Sequence, residues 1–173
     1  FTFNLILSRI LSPEDFGVYA IVNTFIIFFS LIKDFGLGNY LITTKDISKQ
    51  LCDTIFYSNL LFTTLLCLII LSVSPYIALF YQDPRLTVLI RLSALTFIID
   101  AICTVPNAML IRKMDFFRLF ILKVSSISLA GVSAIILALS GWGIYSLVLQ
   151  AILISLLSGL VLFYFYPYLP GAN

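Results

Sequence analysis

LCDTIFYSNLLFTTLLCLIILSVSPYIAL, residues 51–79, is one apolar run whose single charge, Asp53, lies near its start. A helix needs about 20 mainly apolar residues to cross the hydrocarbon core of a bilayer, and this run exceeds that length. In lipid the backbone finds no water to bond, so such a run satisfies its own N–H and C=O groups as a helix. Pro75 falls near the end of the run, where lost backbone bonds cost less. Outward from it lie further runs at residues 16–42, 86–110 (interrupted by Pro106), 116–139 and 143–166, and a partial run at 1–11. The last is about half a span, so the chain is expected to begin partway along a helix. Turns separate the runs: Ser12-Pro13-Glu14-Asp15, the polar stretch 43–50, Gln82-Asp83-Pro84-Arg85, the basic loop 111–118 and Ser140-Gly141-Trp142-Gly143. Trp142 and the girdle of Tyr164, Tyr166 and Tyr168 suit the headgroup boundary. The predicted fold is all-α: a polytopic transmembrane helix bundle, with residues 1–173 as one transmembrane domain.

Composition excludes a soluble domain. Of 173 residues, 61% are hydrophobic and 10% charged, and the mean hydropathy is +1.13. A soluble domain carries about 25% charged residues to face water. The net charge of +2 is spread over separated clusters, without the aromatic-interleaved basic patch that nucleic acid requires. No nucleic-acid partner is expected. Histidine is absent, which removes the commonest general base and metal ligand. Cys52, Cys67 and Cys103 lack CxxC spacing and sit in apolar stretches, where a free thiol acts as a small hydrophobe. No metal, cofactor or enzymatic activity is expected.

Basic residues set the orientation. Lys45 and Lys49 lie in the 43–50 loop, and Arg112, Lys113 and Arg118 in the 111–118 loop; the opposite turns hold Arg85. By the positive-inside rule the first two loops face the cytoplasm. Every loop is short, leaving no room for an extramembrane catalytic domain.

Ionisable groups inside a span are costly and mark functional sites once snorkelling is excluded. At about 100° per residue, Tyr19, Asn23, Ser30, Asp34 and Gly38 fall on one stripe of the second span. Lys33 lies roughly 80° off it. Neighbouring Lys33 and Asp34 do not face each other, so each is expected to pair with another helix or a ligand. The competing reading has Lys33 snorkelling to the headgroups while Asp34 makes a structural pair. Ser93, Thr96, Asp100, Thr104 and Asn107 form a second stripe on the fourth span, with Asp100 near the bilayer centre. An unpaired carboxylate there would be protonated. Asp100 is therefore the candidate coupling-ion residue, against the alternative of a static interhelical hydrogen bond. Arg91 and Lys123 are expected to snorkel, and Gln150 either lines a cavity or bonds a neighbouring helix. Ser126, Ala130, Ala134 and Ala138 repeat at four-residue spacing, a signal of close helix packing. The segment 15–22 also resembles 141–148, as an internal repeat or a shared way of starting a helix would give.

The run Leu7-Ser8-Arg9-Ile10-Leu11-Ser12-Pro13-Glu14-Asp15-Phe16-Gly17 resembles the opening of bacterial polysaccharide-export flippases. These are the Wzx-like and colanic-acid-exporter-like members of the multidrug/oligosaccharidyl-lipid/polysaccharide superfamily. Asp34-Phe35-Gly36-Leu37-Gly38, Asp83-Pro84-Arg85-Leu86, the run 105–116 and Gly141-Trp142-Gly143-Ile144-Tyr145 are similar to later parts of that family, in the same order. The resemblance implies the first lobe of a two-lobed transporter in the bacterial cytoplasmic membrane. Its substrate would be an undecaprenyl-diphosphate-linked oligosaccharide, flipped outward by alternating access for surface polysaccharide synthesis. A polysaccharide polymerase and chain-length machinery would be its partners. In that family, cations of the first two helices face the cavity. Arg9 and Lys33 match those positions, and Arg and Lys bind phosphate oxygens through charge-assisted hydrogen bonds. With the cavity-face residues Asn23 and Asp34 they make up the expected substrate-binding set.

Three other readings compete. A drug or metabolite exporter of the same superfamily would share the fold. A polysaccharide polymerase or glycosyltransferase would need a large outer loop or a cytosolic acidic metal site. A structural subunit would have no use for Asp34 and Asp100 at mid-membrane depth.

Overall fold

The computed structural model describes residues 7, 9, 11–33, 37–44 and 48–166. They form an all-α bundle of α1 (Pro13–Lys33), α2 (Leu37–Thr43), α3 (Lys49–Phe80), α4 (Arg85–Arg112), α5 (Phe116–Leu137) and α6 (Tyr145–Phe165). A π-helical turn, Ala138–Trp142, extends α5. Among the described residues, five helices are long and apolar enough to cross a membrane: α1, α3, α4, α5 with its π turn, and α6. Asp34 and residues 45–47, with Lys45, lie outside the described residues, as does Tyr168.

Local chemistry sets the helix starts. Ser12 Oγ accepts from the Asp15 backbone N–H at 3.2 Å and donates to Asp15 Oδ2 at 2.9 Å. With Pro13 as first helical residue, this is a capping arrangement that satisfies otherwise orphaned donors. Ser48 caps α3 by accepting from Leu51 N–H, and Asp115 caps α5 by accepting from Arg118 N–H. Gly141 (φ 86°) and Gly143 (φ 50°) supply the left-handed backbone that reverses the chain between α5 and α6.

Two prolines sit inside helices without ending them. Pro75 leaves the Leu71 carbonyl without its usual partner, and Ser74 Oγ donates to that oxygen at 3.0 Å. Contrary to the expected interruption at Pro106, α4 runs unbroken to Arg112. Pro106 is fully buried, and a bilayer offers the backbone no alternative partner that would reward unwinding.

α4 is the central helix. It packs along α3, crosses α6 and carries α1 and α2 on its flank, while α5 pairs with α6. Toward the outer end, Val22, Phe29, Ile70, Leu89, Phe97 and Val148 join α1, α3, α4 and α6 in one continuous core. The stripe Ser126, Ala130, Ala134 and Ala138 is buried along α5, the close approach that small residues permit. Toward the inner end a second core, with Leu41, Cys52, Ile55, Phe56, Val105 and Ala108, joins α2, α3 and α4.

Ion pairs hold the outer rim. Arg85 contacts Glu14 at 2.5 Å, Asp83 at 2.9 Å and Asp15 at 3.6 Å, joining the start of α1 to the α3–α4 turn. The Arg85 guanidinium beside it holds the Asp83 carboxyl below the usual carboxylate range. At the inner rim, Arg112 donates to the Leu41 and Thr44 carbonyls, and Lys113 lies 4.5 Å over the Tyr166 ring.

Candidate functional site

A cavity of about 430 Å³ opens where α1 ends and α2, α4, α5 and α6 diverge. Its polar lining includes Lys33, Asn59, Asp100, Asn107, Lys123 and Ser155. These residues stand near the end of the bundle that carries the basic 111–118 loop, the side assigned to the cytoplasm. Gly38 and Gly159 also border it. A Cβ on Gly159 would stand 3.0 Å from Cys103 Sγ, so a larger residue there would push the Cys103 side chain aside by a few tenths of an ångström.

The charged centre of the cavity is an interhelical pair. Lys33 Nζ, on the last residue of α1, lies 3.4 Å from Asp100 Oδ2, near the middle of α4. The Lys33 side chain is 11% exposed and that of Asp100 48% exposed, so the cation is recessed and the carboxylate faces the opening. Lys33 Nζ also sits 5.5 Å from the centroid of Phe97, whose π face adds to its stabilisation. On the far side of the carboxylate, Ser155 Oγ of α6 donates a short hydrogen bond to Asp100 Oδ1. Three helices thus converge on one carboxylate. Below it, Asn59 of α3 donates to Thr104 Oγ1 at 2.8 Å, and Thr104 Oγ1 donates to the Asp100 carbonyl at 3.0 Å. That chain of bonds fixes the backbone from which Asp100 projects.

Lys33 and Asp100, singled out separately from the sequence, are therefore one unit. Asp100 is not unpaired, the condition under which it was expected to be protonated. Arg9 is exposed, and Asn23 is exposed on α1, roughly 15 Å along the helix axis from Lys33 at 1.5 Å per residue. Neither lines this cavity. Asp34, the fourth expected substrate contact, lies outside the described residues. The α4 stripe divides: Thr104 and Asn107 line the cavity, while Ser93 is buried and donates to the Leu89 carbonyl. Arg91 is exposed and also bonds inward, its Nε donating to Ser74 Oγ at 3.0 Å. Gln150 is buried in the packing and does not reach the cavity.

Asn59 and Ser155 are the residues that sequence reasoning missed, and the cavity position of Lys123 was not read from it. Lys123, expected to snorkel, is exposed and lines the cavity. Ser155 gave no signal, since a lone serine in a transmembrane helix usually bonds its own backbone. Ser125 and Ser140 do so here. Among the described residues, no three His, Cys, Asp or Glu side chains gather as metal ligands. What the cavity offers is two ammonium groups, one carboxylate and a set of hydroxyl and amide groups, chemistry suited to holding a polar anionic ligand.

Residues 6–173 match the model of a family described as polysaccharide biosynthesis protein. The succinoglycan biosynthesis transport protein ExoT of Rhizobium meliloti (strain 1021) is 32% identical over 157 residues, covering 90% of this chain and 32% of that protein. The lipopolysaccharide biosynthesis protein WzxC of Escherichia coli (strain K12) is 23% identical over 137 residues, covering 79% of this chain and 28% of that protein. The teichuronic acid biosynthesis protein TuaB of Bacillus subtilis (strain 168) is 31% identical over 90 residues, covering 52% of this chain and 19% of that protein. The chain thus spans about a third or less of the length of these relatives. No solved structure matches it significantly.

Proposed function

This chain belongs to the polysaccharide biosynthesis protein family, and from that premise we propose that it forms the first lobe of a carrier for a lipid-linked oligosaccharide. It is a multi-pass protein of the bacterial cytoplasmic membrane. The substrate is an undecaprenyl-diphosphate-linked oligosaccharide, moved from the inner to the outer leaflet by alternating access. The single observation that supports this reading best is the inner-half cavity, where Lys33 and Lys123 stand with Asp100 inside an otherwise apolar bundle. Keeping such groups at bilayer depth is expensive, and a carrier of a diphosphate headgroup has a use for them. One relative, ExoT, is named as a succinoglycan biosynthesis transport protein, which supports a transport role in polysaccharide biosynthesis.

In this mechanism the headgroup enters from the cytoplasmic side and its phosphate oxygens meet the Lys33 ammonium, with Arg9, outside this cavity, as a second cation on its path. Asp100 is the candidate carboxylate for coupling to an ion gradient, since it sits in the cavity wall and is hydrogen-bonded from α6. Polysaccharide polymerase and chain-length proteins would receive the product. No step of this mechanism makes or breaks a covalent bond.

The test is genetic and direct. Arg9→Ala and Lys33→Ala in the full-length protein should abolish surface polysaccharide while membrane insertion persists. Wild-type polymer levels in both variants would sink the diphosphate reading.

A further inference from the structure

Lys33 and Lys123 differ in one respect. Lys33 has its counter-ion at 3.4 Å. Lys123 lines the same cavity and, among the described residues, forms no ion pair or hydrogen bond. It is the eighth residue of α5 and is exposed, so its ammonium is accessible to a ligand entering the cavity. Asp100 is the more exposed partner of the Lys33 pair and has a second anchor, the Ser155 hydroxyl. An incoming anion therefore meets the carboxylate first, and the carboxylate keeps a partner when it gives up Lys33.

We propose that Lys33 and Lys123 form an oxyanion subsite for which Asp100 is the built-in counter-ion. A phosphate oxygen takes Lys33 in place of the Asp100 carboxylate, which stays hydrogen-bonded to Ser155, while Lys123 receives a second phosphate oxygen. The inference rests on the carrier reading above and adds to it a residue, Lys123, and an exchange step. Charge favours it: a diphosphate diester carries a negative charge on each phosphate, and two ammonium groups match it once Asp100 is set aside. Asn107, in the same lining, supplies an amide donor to a bridging or ester oxygen. Without ligand, the Asp100 pair spares the recessed Lys33 the cost of an uncompensated charge. With the wrong ligand, one lacking negative charge, nothing displaces the carboxylate.

This makes a prediction opposite in sign to that of a carboxylate that helps bind substrate. The probes are a short polyprenyl diphosphate and inorganic diphosphate, titrated onto the purified full-length protein. Lys33→Gln and Lys123→Gln should each weaken binding of the polyprenyl probe by about tenfold or more, as loss of a charge-assisted contact does. Asp100→Asn, which keeps an acceptor for Ser155, should tighten it by about fivefold, because the competitor is gone. Ser155→Ala should weaken it by about twofold to threefold, since the displaced carboxylate loses its second partner. If Asp100→Asn does not fold, Ser155→Ala and Lys123→Gln still decide the matter. Unchanged or weaker binding in Asp100→Asn, or unchanged binding in Lys123→Gln, overturns the proposal, as does failure of both probes to bind. The same ranking with inorganic diphosphate bound equally well would support the subsite while removing the lipid-linked substrate. Absence of lipid-linked oligosaccharide movement in vesicles, with the ranking intact, would count against the carrier reading alone.

Discussion

Lys33 and Asp100, 67 residues apart in the chain, meet at 3.4 Å across the α1–α4 contact. The pair ties the end of one membrane helix to the middle of another. The cavity leaves the carboxylate half exposed, so the tie falls between an exposed pair, contributing about 0–1 kcal/mol, and a buried one, whose breakage costs about 3–5 kcal/mol.

A double-mutant cycle measures that coupling. Lys33→Met and Asp100→Asn should each lower the thermal stability of the detergent-solubilised full-length protein by about 1–2 kcal/mol. The double variant should lose less than the sum, by about 1 kcal/mol. Strict additivity would show that the two side chains do not interact in the membrane protein.

Transport by Asp100→Asn addresses coupling separately from binding. Movement of lipid-linked oligosaccharide in vesicles should lose its dependence on a proton gradient, with the gradient-driven rate falling by about tenfold or more. A variant that retains gradient-dependent transport would remove Asp100 from the coupling role.

The outer rim responds to acid. Hydrogen bonding from Arg85 holds the Asp83 carboxyl below the usual carboxylate range. A carboxyl whose folded value is depressed contributes stability above its unfolded value and loses it as pH falls through the folded value. Melting temperatures should therefore drop on going from pH 6 to pH 3, and Asp83→Asn should show a smaller drop. Identical acid sensitivity in the two proteins would mean that the Arg85–Asp83 pair contributes nothing.

Glycine at 159 sits in a tight contact between α6 and α4. A Cβ there meets Cys103 Sγ at 3.0 Å, so Gly159→Ala should destabilise by about 1 kcal/mol and Gly159→Leu by about 1–3 kcal/mol or more. Cys103→Ala should rescue most of the Gly159→Ala loss. If it does not, the close approach of α4 and α6 is not what glycine serves.

The helices were legible in the sequence because their signal is length and apolarity, which lipid imposes residue by residue. The run 51–79 needs no partner to be read as a helix. Pro106 misled because the rule that proline breaks helices comes from water, where a freed carbonyl finds solvent. Lys33 and Asp100 were legible singly, since a charge inside an apolar run stands out. Their meeting was not, because it depends on how α1 lies against α4, which local periodicity does not encode. The cavity position of Lys123 was not legible, because nearness to a loop looks the same whether or not the side chain borders a cleft. Ser155 is one of several serines on its helix, and only the fold distinguishes the one that faces a carboxylate.

The outer rim has an asymmetric tolerance built into its arithmetic. One guanidinium, that of Arg85, serves Glu14, Asp15 and Asp83. Loss of any one acid leaves the arginine still tethered by two others, so the junction degrades gradually. Loss of the arginine strands all three acids together and turns mutual attraction into like-charge repulsion at the mouth of the bundle. The weak point of this rim is thus a single codon, while the acids around it are spares for one another.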